Sequence, residues 1–168
     1  MENYTSFSKY GKQFQELLVQ ILMEDRPFAD QIEEVLDTSF FELEYLRVFV
    51  RKLFDYRVKY GVHPTKNILA SILRTELENY NDSTQKQVRD YFARVCIRDI
   101  KDEKYIKETS LDFCKKQKLK EALMKSVDLI QSSSFDEVRN VIDEALKLGT
   151  SNDFGHDFLK DFESRYEL

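Results

Sequence analysis

The sequence predicts an all-α protein: a compact helical bundle, then an antiparallel helical hairpin, then a C-terminal linker helix. Three observations carry this. Apolar residues recur at three- and four-residue spacing along most of the chain. Only four glycines and two prolines occur, which argues against folds built on glycine-rich loops, tight hairpins or barrel corners. Leu, Lys, Glu, Phe and Asp dominate, as in helices with wide charged faces. At 168 residues, 42% hydrophobic and 34% charged, the chain has apolar content for a real core and too much of it for disorder.

The elements follow in order. Residues 12–24 put Phe14, Leu17, Leu18, Ile21 and Leu22 on one helical face. Asp25 and Pro27 break the run, and Pro27 suits the first turn of the next helix, which carries Phe28, Ile32, Val35 and Leu36. Ser39 and Glu42 form a capping-box pattern ahead of a long helix with Leu43, Leu46, Phe49, Val50, Leu53, Phe54 and Tyr60 as its apolar positions. Gly61, Val62 and Pro64 make a strong stop. Thr65 caps a further helix with Ile68, Leu69, Ile72, Leu73 and Leu77 facing inward. A polar turn over 79–84 precedes a helix bearing Val88, Tyr91, Phe92 and Val95.

From residue 102 the apolar stripe thins: Ile106, Phe113, Leu119, Leu123, Val127 and Ile130 mark a helix to about residue 131. Ser132 to Ser134 interrupt it. Ser134 and Glu137 repeat the capping-box spacing before a shorter helix with Phe135, Val138, Ile142, Ala145 and Leu148, which Gly149 ends. So short a connection makes the two helices antiparallel neighbours. Their stripe needs a cover, from the bundle or from another subunit. The expected division is a head over 1–101, a hairpin over 102–149 and a linker over 150–168.

The search for chemistry is mostly negative. There is no Gly-x-x-x-x-Gly-Lys-Ser/Thr, no GxGxxG, no HExxH and no GxSxG. The histidines, His63 and His156, are far apart, so no metal site is signalled; His63 beside Pro64 suits a loop or capping role. Cys96 and Cys114 lack a CxxC partner and read as small buried hydrophobes. Carboxylates such as Glu33, Glu34, Glu42 and Glu44 fall on polar helix faces. No catalytic residue, cofactor-binding residue or metal ligand is expected in this chain. No targeting segment or membrane-length apolar run appears, so the expectation is a soluble cytoplasmic protein, without membrane contact.

The net charge of −5 makes the chain a poor stand-alone nucleic-acid grip, with weak, salt-sensitive single-strand binding at most. Lys115, Lys116, Lys118 and Lys120 form a candidate ridge for DNA or an acidic partner. The alternative is a solvated face balanced by Asp112 and Glu121. Aromatic residues fall at core spacing, which argues against a base-stacking platform.

Two stretches carry a resemblance. The first is Phe14-Gln-Glu-Leu-Leu-Val-Gln-Ile-Leu, then Phe40-Phe41 opening a long helix that ends in Tyr60-Gly61-Val62-His63-Pro64-Thr65. The second is Gly155-His156-Asp157-Phe158-Leu159-Lys160-Asp161-Phe162-Glu163-Ser164-Arg165-Tyr166. Together they resemble the N-terminal region of the DnaB superfamily of replicative DNA helicases, within it the phage T4-type branch, and the 105–148 hairpin lies where that family has its own.

The resemblance implies a collar domain. Hairpins pair subunits through Ile106, Phe113, Leu123, Val127, Ile130, Phe135, Val138 and Ile142, as dimers toward a hexamer. The collar offers a surface to primase and to a helicase loader. The linker, through Gly155, His156, Asp157, Phe158, Phe162, Arg165 and Tyr166, docks on a neighbouring ATPase domain. ATP and magnesium belong to that domain, which this sequence lacks, so the expectation is the N-terminal piece of a helicase, phage-encoded and active in the host cytoplasm. The rival is a stand-alone all-α adaptor or loader-like protein using the same hairpin in trans.

Overall fold

The computed structural model describes residues 6–132 and 134–148. Among these the protein is all-helical, with α1 (Gly11–Glu24), α2 (Arg26–Ile32), α3 (Glu44–Tyr60), α4 (Lys66–Thr75), α5 (Asp82–Val95), α6 (Glu103–Gln131) and α7 (Phe135–Lys147). Two compact units divide the chain: residues 30–36 and the part from 109 onward form one, and the rest forms the other.

In the larger unit α1 is central. It packs on α3, and α3 packs on α5, which also carries α4. The stripe Phe14, Leu18, Ile21 and Leu22 is buried as the spacing predicts, but so are Val19 and Met23 on the far side, and Gln15, Glu16 and Gln20 with them. Asp25 ends α1 and starts α2: its N–H donates to the Ile21 carbonyl at 2.8 Å, and its Oδ1 accepts from the Phe28 N–H at 3.0 Å. Pro27 sits in the first turn of α2, where a missing N–H leaves no bond unmade. That helix is shorter than the pattern suggests. Val35 and Leu36 lie beyond it, their N–H groups both turned back to the Ile32 carbonyl.

The capping box expected at Ser39 and Glu42 does not form. Ser39 lies inside a 3₁₀ turn, Thr38–Phe40, capped by Asp37, whose Oδ1 accepts from the Ser39 N–H. Buried Phe40 and Phe41 pull this segment inward and delay the long helix to Glu44. The Glu42 N–H is satisfied instead by Gln15 Oε1 at 2.9 Å. Arg47 holds the Phe41 and Glu42 carbonyls at 3.0 and 3.1 Å.

The stop after α3 is as expected. Gly61 takes the left-handed conformation, φ 68° and ψ 12°, and its N–H closes on the Arg57 carbonyl. Thr65 caps α4 through a 3.2 Å bond from the Ile68 N–H. On α4, Leu69 and Leu73 are buried and Leu77 just beyond is too, but Ile68 is 40% exposed. Asn81, inside the predicted turn, caps α5. Val88, Tyr91 and Val95 are fully buried.

The α6–α7 junction falls at the serines, as the sequence suggests, but the second capping box also fails. Ser134 makes no side-chain cap bond, and its φ −95° and ψ 68° lie outside the extended region a capping residue needs. Its N–H goes back to the Leu129 carbonyl at 3.1 Å, and its hydroxyl pairs with that of Ser132.

Three substitutions separate these caps from mere sequence pattern. A Cβ at Gly61 meets no atom within 4 Å, so Gly61→Ala should cost only the left-handed backbone, about 1–2 kcal/mol. Thr65→Ala should cost about 1 kcal/mol, and Ser134→Ala close to nothing. Urea unfolding of the three variants checks all of these values.

Candidate functional site

The described part of the hairpin sequence divides into two kinds of apolar residue. Ile106 and Phe113, expected at a subunit interface, are buried within the chain itself at 2% and 4% exposure. They are core, because the early part of α6 also buries Leu111 and Cys114. Farther along, Leu123, Val127 and Ile130 are about half exposed, and Phe135 is 71% exposed. Met124 and Leu146 are exposed as well. Val138 and Ile142 are half-buried, and α7 contains no buried residue at all. These exposed positions define the candidate interface.

The lysine ridge is largely committed. Lys116 pairs with Asp112 at 2.8 Å, and Lys118 with Glu121 at 3.5 Å. Lys115 and Lys120 are half-buried, and burial pulls the Lys115 ammonium below its ordinary value. The balanced face, not an open cationic ridge, is what the geometry of Lys116 and Lys118 favours.

A buried polar cluster went unseen in the sequence. The Glu16 side chain is 6% exposed. It accepts the Tyr45 hydroxyl at 2.5 Å and both Arg94 guanidinium nitrogens at 3.2 Å, while the Tyr91 hydroxyl donates to the Glu16 backbone carbonyl. One turn on, Gln20 donates to the Arg98 carbonyl at 2.6 Å and accepts Arg98 Nε at 2.9 Å. Burial is the largest influence on Glu16 and opposes ionisation, but the Arg94 and Tyr45 hydrogen bonds and the Arg94 charge outweigh it, so its carboxyl titrates below the ordinary range. Burial first, then the facing carboxylate, push the Tyr45 phenol well above its usual value. Nothing here is poised for proton transfer near neutrality; the cluster locks α1 to α3 and α5. The signal was available: Val19 and Met23 lie off the main stripe, which marks α1 as buried all round and its polar residues as buried with it.

Asp25 shows the same balance: burial opposes its ionisation, and bonds from Lys107 and the Phe28 N–H overcome it. His63 takes a capping role. Its Nδ1 lies 2.7 Å from Arg57 Nη1 and its Nε2 2.6 Å from the Met23 carbonyl. Arg57 only donates, so Nδ1 accepts and Nε2–H satisfies an otherwise orphaned carbonyl at the end of α1.

A cleft of about 740 Å³ lies beside the α1–α2 junction, lined by Asp25, Arg26, Lys66, Cys96, Ile97 and Arg98 among others. Its lining mixes acids, Glu24, Asp25, Asp99 and Glu103, with bases, Arg26, Lys66 and Arg98. No group of His, Cys, Asp and Glu that could hold a metal ion occurs among the described residues. Cys96 and Cys114 form no disulfide. No described helix is long and apolar enough to cross a membrane. Gly155, His156, Asp157, Phe158, Phe162, Arg165 and Tyr166 lie outside the described residues. No protein-family model, curated protein or solved structure matches the chain.

A depressed carboxyl stabilises fully above its unfolded value, about 4.3 for Glu, and that stability is lost as pH falls through the lower folded value. Wild-type stability should therefore drop steeply below about pH 4. Glu16→Gln should lose about 2 kcal/mol at neutral pH and show a shallower acid limb. Urea midpoints across pH 3–7 for both proteins test this; parallel limbs would remove Glu16 from the account.

Proposed function

We propose that this chain is the N-terminal collar domain of a hexameric replicative DNA helicase, assembling subunits through α6 and α7 and offering a docking surface to primase. ATP-driven unwinding resides, on this reading, in a separate ATPase domain that uses ATP and magnesium. The helicase assignment rests on the sequence resemblance described above. The assembly role rests on one structural observation: α7 is strongly amphipathic in sequence yet buries no residue, and Leu123, Val127, Ile130 and Phe135 stay exposed beside it in the chain.

A face of this kind gains roughly 25 cal/mol for each Å² of apolar surface withdrawn from water. A like face on a second subunit provides such a cover, and a two-fold pairing would be self-complementary. The correction at Ile106 and Phe113 narrows the pairing surface to the distal half of α6 and to α7. DNA contact through Lys116 and Lys118 loses ground, since both already have acidic partners.

Light scattering over a range of concentrations should give a dimer or a monomer–dimer mixture for the wild type. Val127→Glu should shift it to monomer, with helix content unchanged by circular dichroism. A wild-type monomer at every concentration would sink the assembly role. If that monomer bound a replicative helicase in trans, the adaptor reading would replace the collar.

A further inference from the structure

Residues 44–74 run against the charge of the rest of the chain. They hold seven Arg and Lys residues and only two acids, in a protein of net charge −5. Three of the seven cations are engaged: Arg47 on the Phe41 and Glu42 carbonyls, buried Arg57 beside His63, and Lys66 with Glu24 at 3.7 Å. Arg51, Lys52, Lys59 and Arg74 form no ion pair among the described residues. Arg51 reaches only a neutral group, the Tyr80 hydroxyl at 3.2 Å.

Aromatic rings sit among these cations. Tyr60, expected from spacing to be an apolar core position, is 57% exposed at the end of α3. Its ring centroid lies 4.6 Å from that of Tyr56 and 5.3 Å from Lys59 Nζ. Lys52, Tyr56, Lys59 and Tyr60 line a cleft of about 180 Å³ with Ile72 of α4, and Asp55 and Glu76 also line it.

From this arrangement we infer that the α3–α4 face binds single-stranded nucleic acid, with a base stacked on Tyr60 and phosphates running along Arg51, Lys52 and Lys59. Cations alone would serve any polyanion. The exposed ring beside the Lys59 ammonium adds a surface for an unpaired base, whose face a duplex keeps hidden. Asp55 and Glu76 repel phosphate from the cleft itself, and accept hydrogen bonds from base amino groups. The phosphate path therefore lies on the outer side, and the base enters. This site does not depend on the collar assignment and would hold equally for an adaptor.

With about three phosphate contacts, the binding constant should fall by about two decades for each tenfold rise in salt. Anisotropy titration of a short labelled single strand with the full chain tests the site, with a poly-glutamate competitor and a duplex of the same length alongside. Arg51→Glu with Lys59→Glu should weaken binding at least tenfold and flatten the salt slope. Tyr60→Ala should weaken it by about fivefold or more while leaving the slope unchanged. All three positions are exposed, and circular dichroism confirms folding. Alanine at Lys115, Lys116, Lys118 and Lys120 together should change nothing. The inference is overturned by an absence of binding at low salt, by loss only in the Lys115–Lys120 variant, or by duplex binding as tightly as the single strand with Tyr60→Ala indifferent. Displacement of the strand by poly-glutamate at matched charge concentration would equally overturn it, pointing instead to a protein partner whose carboxylates bind the basic face.

Discussion

Glu16 holds the larger unit together. A carboxylate at 6% side-chain exposure is costly unless it is fully engaged, and two other helices have to be in place to engage it. Tyr45 comes from α3, Arg94 from α5, and the Tyr91 hydroxyl completes the turn by taking the backbone carbonyl. Displace any one of these helices and a buried charge or a buried phenol is left without its partner. Apolar packing of Leu18, Phe49 and Val88 would tolerate small slippages. The polar cluster would not, and it therefore selects one arrangement among the many that the apolar surfaces alone would accept.

The same logic repeats along α1. Gln15 reaches the segment before α3, Gln20 reaches the Val95 carbonyl at the end of α5, and His63 returns to the Met23 carbonyl. The helix thus offers apolar contact on all sides and directional contact at each turn. Its C-terminal end is closed twice, by the Asp25 N–H on the Ile21 carbonyl and by the His63 ring on the Met23 carbonyl, from quite different parts of the sequence.

Much of this was legible beforehand where the signal is local. The Gly61 stop, the Thr65 cap, Pro27 in a first turn and the break at the three serines all depend on residues within a few positions of one another. The failures are where a distant group won. Ser39 lost its capping role because Phe40 and Phe41 are worth more buried than a capping bond is worth made, and because Gln15 supplies the Glu42 N–H. Ile106 and Phe113 share one stripe with Val127, and periodicity does not tell which part of a long stripe the chain covers itself. Spacing places Tyr60 in the core, because an aromatic at helical spacing usually is; at the last turn of α3 the ring stays exposed. Glu16 was invisible because a one-face pattern hides the second buried face of a central helix.

α7 has a further consequence. A helix of 13 residues whose apolar positions Val138 and Ile142 are only half-buried has little packing to add to its own backbone, and isolated helices of that length are marginal in water. Its amides in the unpartnered chain should exchange with solvent far faster than those of α1 or α3. Any surface that covers α7 must then supply the free energy that orders it, so binding and helix formation become one event. Exposed substitutions on α7 that merely favour the helix would tighten association without touching the interface, and a glycine there would loosen it. If α6 and α7 pair subunits as proposed, the strength of that pairing is set partly by residues that no partner meets.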